Sequence, residues 1–295
     1  MSYRAFVLLT RSARRTELWR LALGLGLVAL VMFGLQQGLL ALAAIALPSE
    51  GYWALIAQMR EGETPAGLLA LLLSVGTMGV GAVVAAHLMH RRAAVSLIGP
   101  LPLALRQFLR SGIAVALLYI AVALLPPWPL AGELIPAMPL GQWLALLPLT
   151  LATLLIQTGS EELLFRGYLQ SQLAARLPHP GVWLIAPSAL FALGHWAPGT
   201  YGGNAGLVAL WAFGFGIAAA DLTARSGTLG PAIALHLVNN LSAIALVSPQ
   251  GAMSGLALYL LPFGTGDEAA VLAILPLDLA AIFLSWLTVR IALRV

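Results

Sequence analysis

Apolar runs separated by short polar stretches mark this chain from end to end. Eight can be drawn: Leu18 to Leu47, Ala66 to Met89, Gln107 to Leu125, a fourth starting between Gln142 and Pro148 and continuing to Arg176, Gly181 to Trp196, Ala205 to Ala224, Leu229 to Val247, and Glu268 to Leu293. An apolar helix needs about 20 residues to cross the hydrocarbon core of a bilayer. Glycine and proline inside the runs do not count against helix, because membrane helices tolerate both. The pattern predicts an all-α polytopic membrane protein: one domain over residues 1–295, built as a bundle of about eight transmembrane helices.

Composition agrees. Of 295 residues, 60% are hydrophobic and 9% charged, with a mean hydropathy of +0.94. Soluble domains carry roughly 25% charged residues. The formal charge of +4 has a membrane explanation, so nucleic acid is not an expected partner. With the N-terminus inside, fourteen of the fifteen arginines fall on one side and only Arg60 on the other. This is the positive-inside bias, and it puts both termini in the cytoplasm. Arginines 4 to 20 precede the first run as in a signal peptide, but the run is too long and no cleavage site stands out. It reads as an uncleaved first helix. Trp53, Trp128, Trp143 and Trp196 lie near predicted outer ends, where interfacial aromatics belong. The absence of cysteine excludes disulfides, thiolate metal sites and cysteine catalysis. No repeat of a transporter kind is apparent.

The densest polar cluster within an apolar run is Glu161-Glu162-Leu163-Leu164-Phe165-Arg166-Gly167. Ionisable residues inside membrane helices are costly and functional by default. Glu162 and Arg166 are spaced i and i+4 in the favourable order for an ion pair. They are expected to support the helix and polarise the site. Glu161 lies about 100° away around the helix and has Phe165 at its i+4 position, which leaves it free to face a cavity. A desolvated carboxylate there suits a general base acting on water. Two later runs each add a histidine, His195 after Phe191 and His236 one turn before Asn240. Each has a plainer alternative: a neutralised carboxylate pair, an interfacial histidine, an inter-helix polar contact. An entry of the fourth helix near Pro148 sets Glu161 about 20 Å deep, whereas His236 and Asn240 lie about 10 and 16 Å from the inner face. These depths agree if the fourth helix is long and runs on into the cytoplasm. A start at Gln142 would set Glu161 too near the inner surface.

Glu161-Glu162-x-x-x-Arg166, Phe191-x-x-x-His195 and His236-x-x-x-Asn240, in this order, resemble the motifs of the CAAX-protease and bacteriocin-processing (CPBP) family of intramembrane proteases. Arg225 to Ile233 resembles the family's approach to its last motif, and the motif-bearing core spans about 142–247. The resemblance implies an intramembrane endopeptidase with an eight-helix bundle and a cavity open to the cytosol, cleaving a peptide or protein substrate at the membrane. Glu161 would activate water. His195 and His236 would orient that water or stabilise the oxyanion, and Asn240 would assist. A divalent metal such as zinc, if present, would take Glu161, His195 and His236 as ligands and leave a water position. The sequence leans slightly to a direct glutamate mechanism, because a ligating Glu161 leaves only Glu162 as base. Two other functions stay open: a non-catalytic scaffold or immunity-type protein, and a proton-coupled transporter using Glu161 and Asp278.

Remaining polar residues receive structural readings. Asp221 and Arg225 are an expected helix-end ion pair. His87 and His90 beside Arg91 and Arg92 read as inner-surface residues that attract anionic lipid. Gln36 and Gln37 read as contacts between helices. The composition reads as bacterial, hence a plasma-membrane location, and a prenylated substrate is not expected.

Overall fold

The computed structural model describes residues 3–125 and 131–295. Pro126, Pro127 and Trp128, expected at an outer helix end, lie outside the described residues. The chain is mostly helical. Ten helices position the site: α1 (Leu18–Ala46), α2 (Ser49–Glu61), α3 (Pro65–His90), α4 (Leu101–Leu124), α5 (Leu140–Glu162), α6 (Ser171–Arg176), α7 (Pro180–Gly194), α8 (Ala205–Ser226), α9 (Gly230–Asn240) and α10 (Glu268–Leu293). Two π-helical segments, Leu163–Gln170 and Leu241–Leu246, continue α5 into α6 and extend α9. Among the described residues six helical stretches are long and apolar enough to cross a bilayer, while Pro180–Gly194 and Gly230–Leu246 are shorter. All eight predicted runs are therefore helical, but not all are full-length spans. These apolar helices make the chain an integral membrane protein.

Helix ends follow local chemistry. Thr64 caps α3 by accepting from the Gly67 amide, with Pro65 at the first turn. Asp267 caps α10 through the Ala270 amide. Gly227, in the left-handed region at φ 75°, closes α8. Large apolar side chains line the outside of α1, α4 and α10, among them Leu30, Leu42, Ile45, Ile113, Leu117, Leu277 and Phe283. Exposed apolar surface of that extent fits lipid, not water.

The helices pack through small residues. At Gly81 a Cβ would meet Val28 of α1, at Gly79 Ser160 of α5, at Gly230 the Ala104 carbonyl of α4, and at Gly216 the Ser188 side chain of α7. Close backbone approach of this kind is how membrane helices associate where lipid removes the hydrophobic drive between them.

The two ends of the bundle differ. One end gathers the N-terminal segment, the α3–α4 linker, and the ends of α8 and α10. Here Tyr3 donates to Asp221, Arg225 pairs with Asp221 at 2.7 Å, Trp286 donates to Asp221, and Arg20 reaches the Met89 carbonyl. The expected Asp221–Arg225 pair is thus present. Nearly all the arginines outside the site sit at this end. His90 and Arg92 correct the surface reading: both are buried, and His90 bonds the Tyr168 hydroxyl at 2.9 Å. Gln36 does bridge helices, by a long 3.5 Å bond to the Ser74 carbonyl.

The opposite end carries α2 and a three-stranded sheet of order β1-β3-β2, formed by β1 (Ile135–Pro136), β2 (Val247–Gln250) and β3 (Tyr259–Gly264). β1 runs antiparallel to β3, and β2 runs parallel to it. Neither α2 nor the sheet was expected. α2 is too polar to read as a span, and Pro262 in the central strand argues against a sheet. The register shift between Ser248 and Gln250 shows how the pairing is interrupted. Trp143 bonds the Ala245 carbonyl at 2.8 Å and ties α5 to this cap.

Gly216→Val should cost about 1–3 kcal/mol by overpacking against Ser188. Gly26→Ala, with nothing near its Cβ, should gain about 0.5–1 kcal/mol. Thermal unfolding in detergent compares the two.

Candidate active site

The fourth run begins at Leu140, with Pro148 inside the helix, and continues without a break to Arg176, 37 residues in all. The depth argument against an early start fails because the extra turns lie at the cap end. Glu161 and Glu162 close α5, and the helix then widens into the π segment that holds Arg166. π segments of this kind recur at functional sites.

Glu162 and Arg166 are completely buried and pair at 3.0 Å. The second arginine nitrogen, Nη2, donates to the Gly216 carbonyl of α8 at 3.1 Å, and Gln170 donates one turn later to the Ala220 carbonyl. The guanidinium also lies 4.8 Å from the Phe191 ring of α7. Arg166 therefore ties α5, α7 and α8 together around one cation.

His236 of α9 meets the same carboxylate. Its Nδ1 is 2.9 Å from Glu162 Oε1, and its Nε2 is 3.6 Å from Glu161 Oε2. An ionised carboxylate only accepts hydrogen bonds, so Nδ1 carries the proton and Nε2 faces Glu161. Glu161 Oε1 accepts from Gln157 at 2.7 Å, and Gln157 Oε1 accepts from Asn240 at 2.9 Å. Glu161 Oε2 is buried and makes no hydrogen bond among the described residues. Glu162 pairs with Arg166 as the i, i+4 spacing predicts. Glu162 has one role more than predicted, because it also orients His236.

Gln157 was missed. Its position one turn before Glu161, on the same helical face, was the available signal. At Gly167 a Cβ would meet the Leu97 carbonyl at 2.9 Å, so this glycine admits the α3–α4 linker against the motif. Tyr119 donates to Asn239, the neighbour of Asn240, at 3.3 Å.

His195 follows α7 and is half-buried. Its Nδ1 bonds the Phe191 carbonyl at 2.8 Å, and its ring lies 4.4 Å from that of Phe191. Phe191 in turn lies 5.9 Å from the His236 ring. Both histidine rings thus lie against the Phe191 ring, and His195 makes no hydrogen bond to His236 or Glu161 among the described residues. Among the described residues no group of three or more His, Asp or Glu side chains is arranged to hold a metal ion. Glu161, His195 and His236 are not gathered as a three-ligand set. Asp278 is exposed on α10 and makes no hydrogen bond to this cluster among the described residues.

An apolar groove of about 640 Å³ runs beside the site, between α4, α5 and α9. Its wall includes Phe108, Leu155 and Ile233, the last one turn before His236.

Residues 141–242 match the family model of the type II CAAX prenyl endopeptidase Rce1-like proteins. No curated protein and no solved structure matches the chain. The matched stretch holds every residue of the cluster from Gln157 to Asn240. Over this stretch the chain is similar to a CAAX-type protease family, in agreement with the resemblance its motifs carry.

Removing one partner of a buried ion pair costs about 3–5 kcal/mol, because the other charge is stranded. Arg166→Met should destabilise the protein by that amount. Arg166→Lys should recover only part of it, since an ammonium cannot serve both Glu162 and the Gly216 carbonyl with a planar fork. Chemical denaturation in detergent measures both.

Proposed function

We propose that this chain is an intramembrane endopeptidase that hydrolyses a peptide bond in a membrane-proximal substrate, with Glu161 activating the attacking water. The observation that carries this reading is the position of His236 between two carboxylates of different kinds. Glu162 is neutralised by Arg166 and holds Nδ1; Glu161 has an unengaged oxygen facing Nε2.

Charge balance in a low-dielectric interior defines the working state. Arg166 offsets Glu162, and electroneutrality then leaves one proton for Glu161 and His236 to share. With that proton on His236, Glu161 is the base and Nε2–H is a donor. Water gives a proton to Glu161, and its oxygen adds to the substrate carbonyl carbon. The carbonyl oxygen becomes an anion that accepts from Nε2–H of His236. The carbonyl then re-forms, the C–N bond breaks, and the proton on Glu161 passes to the departing amine. Gln157, held by Asn240, fixes Glu161 Oε1 so that Oε2 presents to the water. His195 donates Nδ1–H to its own helix, so its neutral ring offers Nε2 as an acceptor only. It serves the oxyanion only as an imidazolium and otherwise orients water.

The arginine-rich end faces the cytoplasm in this reading, in keeping with the positive-inside bias, and the membrane is a bacterial plasma membrane. The groove beside His236 suits an apolar, membrane-embedded segment of the substrate.

Purified protein in liposomes, given a membrane-anchored peptide that it cleaves, tests the roles. Glu161→Gln should lower the rate at least a hundredfold, the lower range for a general base, with normal insertion and yield. Gln157→Leu should lower it less, with the substrate concentration dependence unchanged. A strong chelator should leave the wild-type rate as it was. Full activity of Glu161→Gln would exclude the mechanism.

A further inference from the structure

The arginine-bearing end holds a second built site, remote from the glutamates. The N-terminal segment and the α3–α4 linker enclose a cavity of about 340 Å³ lined by Arg11, Ser12, Arg14, Arg91, Arg92 and Ser96. Four of these residues are cations, and no carboxylate lines the cavity. The nearest acid in sequence, Glu17, is engaged with Arg20 at 3.1 Å.

Arg92 is the floor of this cavity. It is 2% exposed, and all its partners are neutral. Nη1 donates to Ser171 and Gln172; Nη2 donates to the Leu9 and Ser96 carbonyls and the Ser12 hydroxyl. Among the described residues it makes no ion pair. Burial lowers its guanidinium to about 10, so it is still charged at neutral pH. A buried cation without a counter-charge is costly, and three more cations above it add to that cost. The segment is nevertheless held down at several points: His90 contacts the Arg15 carbonyl at 2.8 Å, and Gln172 reaches the Arg14 carbonyl. Arg91 stands in the left-handed region at φ 54°, a conformation that costs a non-glycine residue roughly 1–2 kcal/mol. The backbone is thus held in a strained turn that places like charges side by side.

We infer that this cavity binds a phosphate-bearing anion, the phosphate sitting against Arg11, Arg14 and Arg91 above the Ser12 and Ser96 hydroxyls. Its depth points to a lipid headgroup. Arg14 lies four residues before the membrane helix α1, and Arg91 directly follows the membrane helix α3, so the cavity sits at headgroup level. An anion there supplies the counter-charge that the protein does not, and joins the N-terminal segment to the rest of the fold. This inference does not depend on the peptidase reading.

The test is a titration of the full-length protein in neutral detergent, following its thermal unfolding midpoint. The probes are dioctanoyl phosphatidylglycerol, dioctanoyl phosphatidylcholine and inorganic phosphate. Phosphatidylglycerol should raise the midpoint saturably, and phosphatidylcholine should not. Near a membrane surface each arginine contributes about 1 kcal/mol toward anionic lipid. Arg14→Gln with Arg91→Gln should therefore weaken half-saturation about thirtyfold. Neither side chain makes a hydrogen bond among the described residues, so this variant keeps the fold. Arg106→Gln with Arg110→Gln, outside the cavity, removes the same charge and should leave half-saturation unchanged. A saturable response to inorganic phosphate with the same variant dependence supports the site and names a soluble anion as its source. No saturable response to either anion, or equal weakening in the two variants, overturns it.

Discussion

One oxygen holds the centre of this molecule together. Glu162 Oε1 accepts from Arg166 and meets His236 Nδ1, at 3.0 and 2.9 Å, with the carboxylate and the guanidinium both completely buried. Neither carboxylate nor guanidinium is tolerable there alone. The helices that bring them must therefore meet at one depth and one rotation. The Gly216 carbonyl, the Phe191 face and the Gln157–Asn240 bridge all follow from satisfying this cluster.

That constraint explains features that look unrelated in the chain. Glycines at 79, 81, 216 and 230 let backbones approach closely enough for side chains of fixed length to meet across helices. The π segment after Glu162 falls where α5 must present a carboxylate, a guanidinium and Gln170 to two neighbouring helices. The Trp143–Ala245 bond and the sheet strands that flank α5 and the extension of α9 tie the far ends of those two helices together, which sets their relative height. A small change in that height would pull His236 away from both glutamates, a longer lever than its distance from the site suggests.

Much of this was legible in residue spacing. Acid and arginine four apart, with a second acid beside them, already separated Glu162 from Glu161. The apolar runs marked each of the six described helices long enough to cross a bilayer, because lipid contact demands uninterrupted apolar length. What stayed hidden depends on tertiary neighbours. Nothing local shows that Arg92 and His90, next to a polar turn, fold inward onto Ser171, Gln172 and Tyr168. Gln157 looked like any glutamine until α9 supplied Asn240. The early start of α5 was hidden by Pro148, which the helix absorbs. His195 shares its motif spacing with the family, yet its ring is turned onto Phe191 rather than joined to His236. That orientation is a matter of side-chain packing which sequence spacing does not encode.

The most direct measurement is mass spectrometry of a library of membrane-anchored peptides incubated with liposomes containing the purified wild-type protein, against liposomes without it. Glutamate-activated water in an intramembrane protease predicts new peptide termini at bonds near the membrane, growing with time and protein. An unchanged library, from protein that is folded and inserted and that moves protons down an imposed pH gradient, would contradict it.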